Sequence, residues 1–353
     1  MFINNCRYKI KLLYLVFLIL ISVNWNVYCY ADTQKIKANS DIELLSSLKN
    51  SHNVSSVAWH PDENLIATGG QSNIVTIWNI EQSRVVKTID QQVGGVGALV
   101  YSPDGKYLAV GRTFTRAIPE RYHINIYDAV NGNLIRNFIP PPASKGQSSD
   151  IKTLSFSLDS KLLAANAYGT RSKGVVYDVV AGKVITTLEN FNSTRKTDRI
   201  NSLSFSPDGN YLAVGHGSGT INIWLISNWK LLYDFTGHED GVYSLAFSPD
   251  SNYISVASKT PVINVWDVSS RKILKKLKSK HVGYVRRLQY SSSGKKLVSG
   301  GSDYTVMLFN MEEPYSDISL ENFTRMAFPF ISPNKTYLAV ATGQNVELWK
   351  FIE

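Results

Sequence analysis

A glycine-rich stretch, GHGSG at residues 215–219, has the composition of a phosphate-binding loop. Such loops present backbone N–H groups to the anion, and the N-terminus of a following helix adds a partial positive charge. The residues that follow, 220–224 (TINIW), begin with an alternation of polar and apolar side chains, which predicts a strand instead of a helix. The stretch is therefore predicted to be a turn between two strands.

The six histidines are the next residues with the chemistry of metal ligands or general bases. They lack the HExxH spacing of zinc enzymes, and the chain has neither a GxSxG nucleophile turn nor a kinase signature. Both cysteines, Cys6 and Cys29, lie in the first thirty residues, so the rest of the chain has no thiol. We predict a non-catalytic protein without a cofactor or a metal site. The alternative is an enzyme whose polar ligands gather in a central channel.

Arginine and aromatic residues are concentrated in four long segments, at 111–123, 139–150, 165–174 and 189–199. These residue types are enriched at the energetic centres of protein interfaces. The alternative is that long surface loops carry such residues without a binding role. The residues predicted to bind a protein partner are Arg112, Phe114, Arg116, Arg121, Tyr122, Tyr168, Arg171, Phe191 and Arg195.

A second charged feature is the basic run at residues 271–296, and no acidic residue occurs between positions 268 and 302. Its lysines alternate with apolar residues, as expected of an outermost strand on which lysines discourage sheet-to-sheet aggregation. The alternative is attraction to anionic lipid or polysaccharide. The residues predicted to form this basic surface are Lys275, Lys276, Lys278, Lys280, Arg286 and Arg287.

The elements that must position these residues come from a repeat. A turn of the type Ser-Pro-Asp-Gly recurs at intervals of 41 to 55 residues, each time before a short apolar run such as YLAVG. Four short strands per unit predict an antiparallel sheet, and seven such sheets bury their faces by packing around an axis. The predicted fold is therefore an all-β, seven-bladed β-propeller. Its blades are held together by one aromatic residue of each third strand: Trp78, Tyr127, Tyr177, Trp224, Trp266, Phe309 and Trp349.

These repeats resemble the WD-repeat β-propeller family, most closely at Trp266-Asp267 with Gly237-His238 ahead of them. The resemblance covers residues 41–353 and supports the propeller fold. It implies a rigid scaffold that mediates protein–protein interactions. The four long segments described above place the predicted binding surface on the loops of blades 2 to 4.

In that family, a histidine, a serine or threonine, an aspartate and the tryptophan form a hydrogen-bonded network within a blade. The resemblance implies this network in the sixth unit, at His281, Ser299 and Asp303, with Phe309 in place of the tryptophan. The first unit supplies His52 as its histidine but lacks the aspartate. Most units are therefore expected to depend on packing instead of the polar network.

The two ends of the repeat region predict how the ring closes. The last unit ends after its third strand, and residues 41–48 (DIELLSSL) form a strand-like segment ahead of the first unit. Pairing of these two segments would complete the last blade and protect an open sheet edge.

The N-terminus predicts export. A basic start, twelve apolar residues at 12–23 and small residues before Asp32 are typical of a cleaved signal peptide at 1–31, followed by a short linker at 32–40. We expect a periplasmic or secreted monomer, and an uncleaved membrane anchor is the alternative. The net charge is +9, but the basic residues are not clustered as they usually are in a nucleic-acid-binding protein. Nucleic acid is therefore not expected as a partner.

Overall fold

The fold is taken from a computed structural model, and the described residues belong to one compact unit, Ser40–Glu353. The predicted signal peptide (1–31) and linker (32–40) lie outside them, so export stays a prediction. The structure describes residues 42–351 except 63, 92–93, 114–123, 140–149, 168–172, 189–197, 237, 239, 313–316, 322, 324 and 334–336.

Short apolar or alternating segments separated by turns yield 28 strands in the described part of the chain, arranged as seven antiparallel sheets of four. The strands are β1 (Ile42–Lys49), β2 (Val54–Trp59), β3 (Leu65–Gly70), β4 (Ile74–Asn79), β5 (Arg84–Asp90), β6 (Val96–Tyr101), β7 (Tyr107–Arg112), β8 (Ile124–Asp128), β9 (Leu134–Phe138), β10 (Leu154–Phe156), β11 (Leu162–Ala167), β12 (Lys173–Asp178), β13 (Lys183–Leu188), β14 (Ile200–Phe205), β15 (Tyr211–His216), β16 (Thr220–Leu225), β17 (Lys230–Thr236), β18 (Ser244–Phe247), β19 (Tyr253–Ala257), β20 (Val262–Asp267), β21 (Lys272–Lys278), β22 (Val285–Tyr290), β23 (Lys296–Gly301), β24 (Val306–Asn310), β25 (Ile318–Leu320), β26 (Ala327–Ile331), β27 (Tyr337–Thr342) and β28 (Asn345–Phe351).

Each sheet is one blade of a closed ring. Blades 1 to 6 use four consecutive strands each, from β2–β5 to β22–β25, and blade 7 combines β26–β28 with β1. The first strand of every blade contacts the first strands of both neighbouring blades, and β26 of blade 7 contacts β2 of blade 1. The predicted all-β, seven-bladed propeller is confirmed.

The core lies between adjacent blades. Trp78 of blade 1 shares a buried cluster with Phe330 of blade 7, and Trp224 of blade 4 shares one with Leu188 of blade 3. Tyr177 of blade 3 stacks on Phe138 of blade 2 with ring centroids 4.5 Å apart. The third-strand aromatics are buried in all seven blades, at Trp78, Tyr127, Tyr177, Trp224, Trp266, Phe309 and Trp349. In blades 1, 3 and 4, this aromatic residue fills the gap toward the preceding blade of the ring.

The ring is closed by the N-terminal strand, as the sequence predicts. Strand β1 pairs antiparallel with β28, from Ile42 opposite Phe351 to Lys49 opposite Asn345. Ile42 and Leu48 of β1 are buried, so the strand contributes to the core as well as covering the edge of β28.

In the glycine-rich stretch at 215–219, Gly215 and His216 end β15, and residues 217–219 form the turn to β16. Gly219 has a φ of 93°, and a Cβ at this position would overlap the carbonyl oxygen of His238 in the next loop. Glycine is therefore needed here for backbone conformation and for the close approach of a neighbouring segment.

Candidate functional site

In six of the seven blades, one variable residue at or just before the start of the first strand lies on the wall of a central channel. Most of these strands begin with two variable residues between two apolar ones, as in residues 54–57 (VSSV) and 285–288 (VRRL). In blades 1, 2, 4 and 6 a β-bulge leaves the first variable residue out of the strand pairing. These residues and their counterparts in blades 3 and 5 line the channel: Ser55, Gly97, Lys152, Asn201, Tyr243 and Arg286.

The channel opens into a cavity of about 800 Å³ in which positive charge prevails. Asp198 is buried, and its carboxylate accepts hydrogen bonds from the Ser218 N–H and hydroxyl, each at 2.8 Å. Lys152 lies 3.3 Å from the carboxylate of Asp150. The charged residues that line the cavity in the described part of the chain are Lys152, Asp198, Arg199, Arg286 and Arg287.

In several blades, the second variable residue of the first strand connects neighbouring blades. Ser56, Ser202 and Ser244 accept a hydrogen bond from a backbone N–H of the next blade's first strand, at 2.8, 3.1 and 2.9 Å. Blade 6 has Arg287 here, and it faces Pro329 of blade 7, which has no N–H to donate. The direction of the bond is therefore reversed, and Arg287 Nε donates to the Pro329 carbonyl oxygen at 3.1 Å.

Arg287 is also the most enclosed cation of the channel. Its guanidinium carbon lies 3.8 Å from the ring centroid of Phe330. Burial lowers the pKa of Arg287 to about 10, so the side chain stays protonated at neutral pH. It contributes a fixed positive charge to the channel wall.

Of the nine residues predicted to bind a partner, the structure describes Arg112. Arg112 is only 8% exposed, and its Nη2 donates to the carbonyl oxygen of Gln91 at 2.6 Å. This contact anchors the end of β7 to the segment before β6, and binding of a partner by Arg112 stays a prediction. The other eight lie outside the described residues and stay predictions: Phe114, Arg116, Arg121, Tyr122, Tyr168, Arg171, Phe191 and Arg195.

The strands that flank these segments end on one face of the ring. Each segment joins a second strand to a third strand, or a fourth strand to the first strand of the next blade. Antiparallel alternation brings all of these ends to the side where the first strands begin, which is also the side of Arg286 near the start of β22. We call this side the channel-mouth face.

The structure divides the predicted basic surface into two places. The lysines lie on or just beyond β21, the outermost strand of blade 5, whereas the two arginines lie on β22, the innermost strand of blade 6. The run is continuous in sequence but crosses from the rim of one blade to the centre of the ring. Lys275, Lys276 and Lys278 of β21 are therefore not part of one surface with Arg286 and Arg287, whereas Lys280 lies in the loop that leads to β22. Contact of the lysines with anionic lipid or polysaccharide stays a prediction.

Neither a metal site nor a membrane-spanning helix occurs among the described residues. No three histidine, cysteine or carboxylate side chains among them come together as metal ligands. No helix in the same part of the chain has the length and hydrophobicity of a membrane span.

A family model described as "WD domain, G-beta repeat" matches the chain at residues 42–79, 182–224, 229–267 and 271–310. Each match ends at the third-strand aromatic of a blade or one residue after it. The chain belongs to the WD-repeat β-propeller family. Blades 2, 3 and 7 of this WD-repeat propeller have the same four-stranded order as the matched blades, so the architecture extends around the whole ring.

Similar proteins carry the same repeats. The chain is 24% identical over 201 residues to Pre-mRNA-processing factor 19 of Oryza sativa subsp. japonica, covering 56% of this chain and 34% of that protein. It is 26% identical over 208 residues to WD repeat-containing protein VIP3 of Arabidopsis thaliana, covering 55% and 60%. It is 35% identical over 69 residues to small ribosomal subunit protein RACK1 of Schizosaccharomyces pombe, covering 20% and 22%. The chain thus spans about a third of the rice protein.

Blade 6 of the WD-repeat propeller contains a histidine-centred polar network. His281 Nδ1 lies 3.0 Å from each carboxylate oxygen of Asp303, and Nε2 lies 2.8 Å from Ser299 Oγ. Burial disfavours the charged form of Asp303. The charge of His281 and a hydrogen bond from the Val282 N–H outweigh burial and hold the pKa of Asp303 below its ordinary value. The network connects the loop before β22 to the turn after β23.

Replacing Asp303 by asparagine should lower the free energy of unfolding at pH 7 by about 1–2 kcal/mol, since a charged hydrogen-bond acceptor is lost. Because the folded pKa of Asp303 is depressed, its contribution is complete above the unfolded pKa of about 3.9 and is lost as the pH falls through the folded pKa. Urea unfolding at pH 7 and pH 3 checks this. The difference between wild type and Asp303→Asn should shrink at pH 3, whereas the exposed control Glu43→Gln should show little difference at either pH. A difference independent of pH would contradict the charged role.

In blade 1 the histidine's place is occupied by Asn50, which precedes β2 by the same number of residues as His281 precedes β22. Thr68 Oγ1 donates to Asn50 Oδ1 at 2.7 Å, and Trp78 Nε1 donates to Thr68 Oγ1 at 3.0 Å. His52 is exposed and contacts Ser51. The expectation that His52 fills this place is wrong.

Blades 2 and 5 contain polar networks that the sequence reasoning missed. Asn125 Nδ2 donates to Gln91 Oε1 at 2.9 Å, and Asn264 Nδ2 lies 3.1 Å from His238 Nε2. Each asparagine is buried on the third strand, opposite a valine of the second strand. These contacts differ from the family's network of histidine, serine or threonine, and aspartate, which the sequence does not complete in these two blades. The two asparagines share a sequence signal, the tetrapeptides INIY at 124–127 and INVW at 263–266.

Proposed function

We propose that this WD-repeat propeller is a non-catalytic scaffold that binds a protein partner through its channel-mouth face. WD-repeat propellers generally bind protein partners, and the name of the similar RACK1 places that protein in the small ribosomal subunit. The observation that carries the proposal is an exposed arginine, Arg286, stacked on tyrosines at the centre of this face. Arginine and tyrosine are typical of the residues that dominate binding energy.

The structural roles of the titratable groups support a non-catalytic assignment. Asp198, the channel carboxylate, accepts two hydrogen bonds from Ser218, and the blade 6 pair of His281 and Asp303 connects two loops. Burial lowers the pKa of His238, which lies beside Asn264 inside blade 5. These groups stabilise blades and connections, which suits a rigid platform. Export through residues 1–31 would place the partner outside the cytoplasm and is part of the proposal.

The loops of blades 2 to 4 are proposed to extend the binding surface, because the strands that flank them end on the channel-mouth face. A triple variant, Arg116→Ala, Tyr122→Ala and Arg171→Ala, should reduce partner capture by about tenfold or more, as loss of several interface hot spots does. Capture is measured by cross-linking of the full chain in its native compartment and quantification of the attached protein.

The matched control for the loop variant removes similar groups from outermost strands, as Arg84→Ala, Lys230→Ala and Leu232→Ala. Both triple variants are compared with wild type by thermal unfolding, so that loss of fold is separated from loss of binding. Undiminished capture by a folded loop variant would exclude these loops from the interface.

A further inference from the structure

An arginine–tyrosine cluster occupies the channel mouth between blades 5 and 6. The Arg286 guanidinium carbon lies 4.9 Å from the ring centroid of Tyr243 and 5.0 Å from that of Tyr284. The two ring centroids are 5.3 Å apart, and Lys259 Nζ lies 5.6 Å from the Tyr284 centroid. Both cations are exposed and both tyrosines are half-buried. We call these four residues the Arg286 cluster.

The positive charges of the cluster are not matched by carboxylates in the described part of the chain. Neither Arg286 nor Lys259 forms an ion pair or hydrogen bond with a described residue, and exposed Asp240, in the loop before Tyr243, pairs with neither. Asp303, on the same face, is engaged by His281. The fixed charge of Arg287 on the next position of β22 adds to the local positive potential.

Stacking on the two tyrosine rings orients the Arg286 guanidinium so that it can bind a planar anionic group. A guanidinium held against aromatic rings keeps its N–H edges available for two parallel hydrogen bonds to a carboxylate. Because the rings already restrict its rotamers, less entropy is lost when a ligand binds. At the rim of a partly enclosed cavity, the interaction is also screened less than a fully exposed surface ion pair.

We propose that the Arg286 cluster binds a glutamate or aspartate side chain from an acidic peptide segment of the protein partner. This inference rests on the proposed function, because it names the chemistry of that partner. Apolar parts of the segment contact Met326 and Phe328, which line the same cavity, and Met326 is 44% exposed. The acidic group thus pairs with Arg286 while its neighbours cover the apolar side of the mouth.

The test measures fluorescence anisotropy of a labelled peptide of alternating glutamate and alanine with the full chain. Arg286→Gln should weaken binding by about tenfold or more, since it removes a charge-assisted bidentate contact. Arg286→Lys keeps the charge but loses the planar fork, so it should weaken binding by about threefold. Added salt should weaken binding to wild type.

Lys230→Gln, an equal loss of charge on the outermost strand β17, is the matched control and should leave the Kd unchanged. A peptide of alternating glutamine and alanine should not bind. The inference is overturned if the acidic peptide does not bind, if Arg286→Gln binds it as wild type does, or if Arg286→Gln abolishes binding to phosphatidylserine vesicles but not to the peptide. If the loop variant loses partner capture but Arg286→Gln retains it, this inference fails and the proposed function stands.

Discussion

Tyr177→Ala is expected to lower the free energy of unfolding by about 3–5 kcal/mol, the cost of removing a large buried aromatic side chain. Tyr177 is 1% exposed and stacks on Phe138 of the preceding blade, within a cluster that contains Ile124 and Leu163. Its loss leaves a cavity between the packed faces of blades 2 and 3. Urea unfolding of the full chain measures the change.

The matched control is Tyr177→Phe. Burial raises the pKa of the Tyr177 phenol, and its hydroxyl has no hydrogen-bond partner among the described residues. Removal of a buried hydroxyl without a partner should therefore be neutral or stabilise the protein by about 1 kcal/mol. If Tyr177→Ala costs less than about 1 kcal/mol, in the range of a surface substitution, the aromatic does not hold the blades together.

Leu48→Asp is expected to destabilise the ring by about 3–5 kcal/mol, since it removes a buried apolar side chain and buries a carboxylate among apolar groups. Leu48 is 2% exposed and packs with Val346 and Leu348 beneath the pairing of β1 with β28. Without this strand, blade 7 has three strands and an open edge. Thermal unfolding and size-exclusion chromatography measure stability and association through that edge.

Leu45→Asp is the matched control, because Leu45 lies on the same strand and is 46% exposed. It should change stability by no more than about 0.5 kcal/mol, as most surface substitutions do. Equal destabilisation by Leu45→Asp and Leu48→Asp would contradict the closure of the ring by β1.

The fold is predictable from the sequence because the same pattern of strands and turns recurs in seven units. Period-two alternation and a turn in each unit predict four strands. The third-strand aromatic residues, one per unit from Trp78 to Trp349, predict how neighbouring units pack. Closure of the ring by β1 follows from the number of strands in each unit, because the last unit lacks a fourth strand of its own. Neither inference depends on the identity of a single side chain.

The site is less predictable because it depends on single residues at repeated positions. The bulge that turns Arg286 into the channel is a backbone feature, although the repeated pattern of two variable residues between apolar ones reveals where it occurs. The arginine at 287 is explained only by Pro329 of the next blade, which removes the N–H that a serine would accept. Such coupling between blades is not visible within one repeat.

Charge along the sequence is also a poor guide to charge on the surface. The basic run at 271–296 reads as one feature, yet the chain passes from the rim at β21 to the channel at β22 between Lys278 and Arg286. In a propeller, residues close in sequence lie far apart across a blade, whereas residues one repeat apart lie side by side.

The central claim is that partners bind at the channel-mouth face, and site-specific photo-cross-linking tests it most directly. One cross-linking residue replaces Val282, which is 95% exposed in the loop before β22, and another replaces Leu274, which is 63% exposed on the outermost strand of blade 5. We predict that a protein partner is captured from position 282 and not from position 274. Capture from position 274 alone, equal capture from both, or capture from neither would contradict the account.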